Sequence, residues 1–215
     1  GVANKPVLLV NSAIHAREYA TAPLMLAFAK SLLTGIGNNA DADWILERHE
    51  IHLMLHTNPE GRKIAEDGIL WRKNINDSSC ASGNYGVDLN RNAPIDAEGP
   101  VPLLGGGHRL GPFLPWYRGR KRGQMEAENI ALEQVLQRQI FNRPFACVLD
   151  LHSGLGMQDR LWFPHAYRKK AIGNIAEYVA LKMLWERSYP NHTYLFEPQS
   201  IHYLSHGDLW DYFYY

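Results

Sequence analysis

The apolar run Pro6–Val10 closes on Asn11–Ser12, and shortly afterwards the chain places His15, Arg17 and Glu18. A continuous apolar run of this kind, ended by polar residues, predicts a short buried strand. Tyr19–Leu33 follows with Leu24, Ala27, Phe28, Ser31 and Leu32 at helical spacing, and Gly35 and Gly37 supply the stop. The chain thus leaves a strand and sets a histidine and a carboxylate at the mouth of a helix. Residues at i and i+3 share one face of a helical turn. His15 and Glu18 can therefore offer a nitrogen and an oxygen to one small cation, and zinc takes such ligands at about 2.0–2.2 Å.

The same alternation continues. Glu50–Gly61 has strand character and ends in the turn signal Asn58-Pro59-Glu60-Gly61. Trp71–Asn92 is polar and loop-like. Ala93–Gly123 is crowded with proline and glycine and ends in the basic run Arg118–Gly123. So long a stretch without regular structure is uncommon inside a compact domain. It reads as a surface excursion or as a loop rimming a substrate groove. Gln124–Ile140 predicts a helix with Ile130, Leu132, Val135 and Leu136 on its apolar side. "FACVLDLHSG" is the strongest strand, Ala171–Tyr189 is a second long helix, and the terminal "DYFYY" is strand-like. Strands alternating with helices argue for an α/β fold, a central sheet flanked by helices, and neither a repeat nor a linker divides it. The expectation is a single domain.

Composition narrows the partners. Lys+Arg and Asp+Glu both number 22 in 215 residues, so no bulk charge draws the chain to nucleic acid or to an anionic membrane. The longest apolar runs fall far short of the ~20 residues of a membrane span. Neither Cys80 nor Cys147 sits in a CxxC pair, and Cys147, inside an apolar run, reads as an inert core thiol.

By itself, HxxE also describes a solvated helix face. A catalytic zinc needs a third protein ligand and an open position. His152, where the strongest strand runs out, is the candidate, although a histidine at a strand end is commonly structural. Taken together, "IHAREY", "NPEG", "LWRKN", "GVDLNRN", "LHSG" and "YLSHGDLWDY" resemble, in order and spacing, the zinc carboxypeptidases of the carboxypeptidase A/B type, from Pro6 to Tyr215. The resemblance implies one zinc ion held by His15, Glu18 and His152, a ligand set that general knowledge of carboxypeptidase A already supplies. It implies that Asp88 orients the first ligand histidine. Asn90 and Arg91 would hold the substrate's terminal carboxylate, and Arg72 would stabilise the oxyanion. Arg17 and Asn58 would line the groove, and Tyr203 would close over substrate. Trp210 would stand at the floor of the side-chain pocket and favour an apolar or aromatic C-terminal residue. The implied reaction is hydrolysis of the C-terminal peptide bond of a peptide or protein by zinc-activated water.

The resemblance also has gaps. The family's general-base glutamate lies beyond the closing tyrosine, yet no glutamate follows Glu197 here. The expectation is a chain truncated at both ends, with an incomplete sheet, and hydrolytically inactive as given. Phe113 stands where relatives carry a cysteine that pairs with one near Cys80, so that disulfide is not expected. Two alternatives stay open: a zinc amidohydrolase or deacylase of the aspartoacylase kind, and a non-catalytic zinc- and peptide-binding pseudo-peptidase.

Overall fold

The structure is a computed structural model that describes residues 5–76, 86–154 and 156–215. It comprises two compact units, Gly1–Ile75 with Glu126–Gly154, and Asn76–Met125 with Leu155–Tyr215. Cys80 lies outside the described residues. No helix among the described residues is long and apolar enough to cross a membrane.

The first unit is built on a parallel sheet. Strand β1, Val7–Ser12, lies between β2, Glu50–Met54, and β3, Ala146–Leu151. Val7 pairs with Glu50 on one side and with Ala146 on the other, and Asn11 stands opposite Met54 and Asp150. Parallel neighbours require long crossovers. Helices α1, Thr21–Gly35, and α2, Ala40–Arg48, fill the connection from β1 to β2, and α3, Pro59–Glu66, and α4, Ala127–Gln139, lie between β2 and β3. Val7, Leu9 and Val10 of the central strand are buried. The Asn58-Pro59 turn is the start of α3: Asn58 Oδ1 accepts the Gly61 amide at 3.0 Å, and proline occupies the first turn, where its missing N–H costs nothing.

Several predicted faces turn differently. On α1 the buried residues are Thr21, Ala22, Met25 and Leu32, while Leu24 is 61% exposed. On α4, Leu132 and Leu136 are buried as expected, but Ile130 is exposed and Asn129 takes its place inside. A helix with apolar residues on more than one side leaves its orientation undetermined by periodicity alone. Cys147 is a free thiol only partly buried, because β3 is an edge strand of this sheet.

The second unit carries β4, Arg160–Phe163, paired in parallel with β5, Leu195–Pro198, across helix α5, Ile175–Ser188. Phe163 stacks on Tyr178 of α5 at 4.6 Å. The aromatic tail, expected as strand, is helix α6, Leu209–Phe213. Its cause is local: Asp208 caps it by accepting the Trp210 and Asp211 amides at 3.0 and 3.1 Å. Helix α6 packs on the 3-10 turn Leu89–Arg91. Ala93–Gly123 has no helix or strand, but its centre is packed: Gly106, Gly107, Tyr117, Arg118 and Gly119 are all buried. The excursion is thus an ordered part of this unit.

Gly207 precedes α6 at φ +64°, and a Cβ there would stand 1.9 Å from the Arg91 carbonyl oxygen. Gly37 has φ +74° with open space around it. Gly37→Ala should cost about 1 kcal/mol, the strain of a left-handed conformation. Gly207→Ala should cost at least about 2 kcal/mol more, because backbone must move. Equal losses in urea unfolding would contradict this.

Asp211 is fully buried, and its Oδ2 accepts the Ala166 and Tyr167 amides at 2.8 and 2.7 Å. Burial and then the Asp208 charge push its carboxyl up to about 7 against those bonds. A folded pKa above the unfolded value of ~3.9 means that the fold binds this proton more tightly. Stability from Asp211 is therefore fullest near pH 4 and falls as pH rises through 7. The stability of the wild-type chain relative to Asp211→Asn should decline over that window, and a constant difference would contradict the assignment.

Candidate metal centre and carboxylate trap

His15 and Glu18 lie in a turn ahead of α1 rather than on the helix. The Glu18 amide donates to the His15 carbonyl at 3.1 Å, closing the turn, and Ala13 before it has φ +54°. Thr21, the first residue of α1, locks the segment in place. Its hydroxyl donates to the Glu18 carbonyl at 3.1 Å and accepts the Ala13 amide at 3.2 Å. Asn58 braces the same loop, donating to the Ile14 and Lys73 carbonyls at 3.2 and 2.9 Å. The resemblance places Asn58 in the substrate groove. Its side chain is fully buried and its amide donates to backbone carbonyls, so it also braces the loop that carries His15 and Glu18.

His152 follows β3 directly. The side chains of His15, Glu18 and His152 bring their donor atoms within 4.8 Å of one another. Glu18 Oε1 is 2.8 Å from His15 Nδ1, Glu18 Oε2 is 3.0 Å from His152 Nδ1, and the two Nδ1 atoms are 3.2 Å apart. Donors at about 2.0–2.1 Å from one tetrahedral ion stand roughly 3.3 Å from one another. The donor set and its spacing therefore suit a single zinc ion. Burial would raise the Glu18 carboxyl, but His15 and His152 hold it well below the usual carboxylate range. Burial would lower His152, but Asp150 and then Glu18 outweigh it and push the imidazole up to about 10.

Surrounding groups fix this cluster. His152 Nε2 lies 2.8 Å from Asp150 Oδ2, and since a carboxylate only accepts, Nε2 donates and Nδ1 is left facing Glu18. Asp150 Oδ1 accepts from Asn11 Nδ2 at 2.7 Å, and Asn11 Oδ1 accepts from the Thr57 hydroxyl. The Ser153 amide donates to Glu18 Oε2 at 3.1 Å, and a Cβ on Gly154 would stand 2.5 Å from Glu18 Oε1. Sequence reasoning missed Asp150, Asn11 and Gly154. Asp150 was legible in principle, because i and i+2 point to one face of an extended chain. Arg72 Nη1 lies 3.8 Å from Glu18 Oε1, and the Arg72 carbonyl accepts the Ala16 amide at 3.2 Å. Arg17 is half-buried in the turn and forms no ion pair with another described residue.

The second unit holds the other expected residues. Asp88 caps the Leu89–Arg91 turn, its Oδ1 accepting the Asn90 amide at 3.1 Å. Asn90 Oδ1 accepts the Leu209 amide at 3.1 Å. Arg91 is 3% exposed, and its guanidinium donates to the Gly105 carbonyl at 2.7 Å, to the Asn90 carbonyl, and to the Tyr203 hydroxyl at 3.4 Å. Every one of these acceptors is neutral. A buried cation without a counter-ion is costly unless an anion completes it. A bidentate carboxylate is the natural partner of such a fork. Tyr203 is half-buried beside Trp162, and Trp210 is partly exposed on α6 with its ring 5.7 Å from Phe213.

The zinc carboxypeptidase (peptidase M14) family model matches residues 1–212. Metallocarboxypeptidase A of Trichophyton rubrum is 30% identical over 154 residues, 71% of this chain and 35% of that protein. The chain thus spans about a third of the length of the curated relatives it matches. Thrombin-activatable fibrinolysis inhibitor shares the fold at TM-score 0.79 and 23% identity, over 98% of this chain and 51% of that one. Carboxypeptidase A of Helicoverpa armigera does so at 0.77 and 22%, over 98% and 49%.

If Asp150 sets the His152 ring, Asp150→Ala should weaken zinc binding roughly 10- to 100-fold. Competition with a chromogenic chelator measures this. Unchanged affinity in a folded variant would remove Asp150 from the account.

Proposed function

The chain belongs to the zinc carboxypeptidase family, and on that premise we propose that it acts as a zinc-dependent metallocarboxypeptidase on the C-terminal peptide bond of peptides or proteins. The observation that carries this reading is the convergence of the His15, Glu18 and His152 donor atoms within 4.8 Å. Zinc, when bound there, supplies a Lewis acid that polarises a carbonyl and lowers the pKa of water toward ~7. Arg72 brings a fixed cation to the same locality, where negative charge on a scissile carbonyl oxygen gains roughly 3–4 kcal/mol from such a partner.

Arg91, with Asn90 beside it, captures the terminal carboxylate. Its guanidinium is held by neutral oxygens alone, so an arriving carboxylate completes it, whereas an amide leaves a buried cation unbalanced. That difference selects chain ends over internal peptide bonds. The Tyr203 hydroxyl touches the same guanidinium and closes over bound peptide. Trp210 favours an apolar or aromatic C-terminal side chain.

The test is binding of a labelled peptide with a free C-terminus against the same peptide as its amide, with an N-acyl amino acid as third ligand. The free acid should bind about 10- to 100-fold more tightly than the amide, and Arg91→Gln should erase the difference. Equal affinity for acid and amide would overturn the proposal. Preference for the N-acyl amino acid would favour the deacylase reading.

A further inference from the structure

The basic run that closes the proline- and glycine-rich excursion lines a cavity of its own in the second unit. This cavity, of about 540 Å³, is bordered by Asp96, Arg109, Arg118, Arg120, Arg122 and His206. Sites for small ligands commonly measure ~300–1,000 Å³. The chain as a whole is balanced, with 22 basic and 22 acidic residues, so a local concentration of arginine does not follow from composition.

Asp96 is the only carboxylate among the described residues of the lining. It is shared by Arg118 Nη1 at 2.6 Å and by Arg122, whose Nε donates at 3.1 Å. Four guanidinium groups against one carboxylate leave three positive charges in excess. His206 Nδ1 accepts the Ala97 amide at 3.0 Å and lies 3.4 Å from Asp96 Oδ1. His108, also on the lining, donates from Nε2 to the Pro115 carbonyl at 2.7 Å while its Nδ1 accepts the Leu110 amide at 3.3 Å.

The cavity is built rather than incidental. Arg118 is 4% exposed and anchored at every nitrogen, with Nε on the Arg91 carbonyl at 3.0 Å and Nη2 on the Ile95 carbonyl at 2.9 Å. Arg109 Nη1 donates to the Gly119 carbonyl at 2.6 Å and to the Lys121 carbonyl at 3.3 Å, so it pins the basic run from inside. Gly107 lines the cavity at φ +87°, where a Cβ would press on the side chains of Arg91 and Arg118. Arg120 is exposed, with no hydrogen bond or ion pair to another described residue. Two anchored guanidinium groups, Arg118 and Arg109, with two exposed ones, Arg120 and Arg122, around a concave space match a ligand with several anionic oxygens close together.

We propose that this cavity is a second binding site in the second unit, lined by residues other than Arg91, Asn90, Tyr203 and Trp210, for a small multivalent anion bearing clustered phosphate or carboxylate oxygens.

Isothermal titration of the 215-residue chain with inorganic pyrophosphate, citrate and sulfate tests it. Pyrophosphate or citrate should bind at one equivalent, more weakly as salt rises, and at least tenfold more tightly than sulfate, which presents a single anionic centre. The double variant Arg120→Ala/Arg122→Ala leaves the Arg118–Asp96 and Arg109 anchors in place. It should lose at least tenfold in affinity while keeping the wild-type urea midpoint. Preference for pyrophosphate identifies a phosphate ligand, preference for citrate a polycarboxylate, and either supports the site. No binding at millimolar concentration in low salt, equal affinity for sulfate, or equal affinity in the double variant would overturn it.

Discussion

The site in the first unit depends on the parallel register of β1 with β3. Asn11 stands opposite Asp150, and Ser12 opposite Leu151. Because both strands run the same way, their carboxyl ends finish side by side, which is where α/β sheets place their ligands. The turn that follows β1 supplies His15 and Glu18, and the residue that follows β3 supplies His152. A one-residue slip would turn Asp150 to the other face, break its bond to Asn11 and carry His152 away from Glu18. The register is thus at once a fact of folding and the reason three distant residues meet.

Charge is handled differently in the two units. Glu18 is buried among two imidazoles, an arginine at 3.8 Å and the Ser153 amide, so its negative charge is stabilised from several sides. Arg91 is buried among neutral oxygens, with no carboxylate partner among the described residues. The first arrangement suits a cluster that holds a cation, the second a trap that waits for an anion. Arg118 lies between these cases, since Asp96 offsets it only in part while it shares that carboxylate with Arg122. The Asp96 carboxyl is held at about 2 because bonds from Arg122 and Arg118 outweigh the effect of burial, and it stays ionised throughout the neutral range.

Much of this was legible in the amino-acid order, and the limits have physical causes. The strand at Val7–Ser12 and the helices at Thr21–Gly35 and Ala127–Gln139 follow from apolar periodicity, with a glycine stop after the first helix. His15, Glu18 and His152 were singled out as candidate ligands by a spaced motif together with a strand-end histidine, and their donor atoms lie within 4.8 Å of one another. Helix faces were misread at Leu24 and Ile130 because apolar residues lie on more than one side of those helices. The tail at Leu209–Phe213 was misread because its aromatics favour strand while the Asp208 cap favours helix. Asp150 was overlooked since it sits inside an apolar run and matches no motif. The bracing role of Asn58 was not read, because its backbone partners at Ile14 and Lys73 are distant in sequence. The arginine cavity was invisible to sequence reasoning, because Asp96, Arg109 and His206 come together only through the fold.

The central claim is that His15, Glu18 and His152 bind one zinc ion, and X-ray absorption at the zinc edge tests it most directly. The zinc-loaded chain should show two imidazole ligands and carboxylate oxygen at about 2.0–2.2 Å, and His152→Ala should lose one imidazole from that shell. A chain that binds no zinc, or a zinc shell without imidazole scattering, would contradict the account.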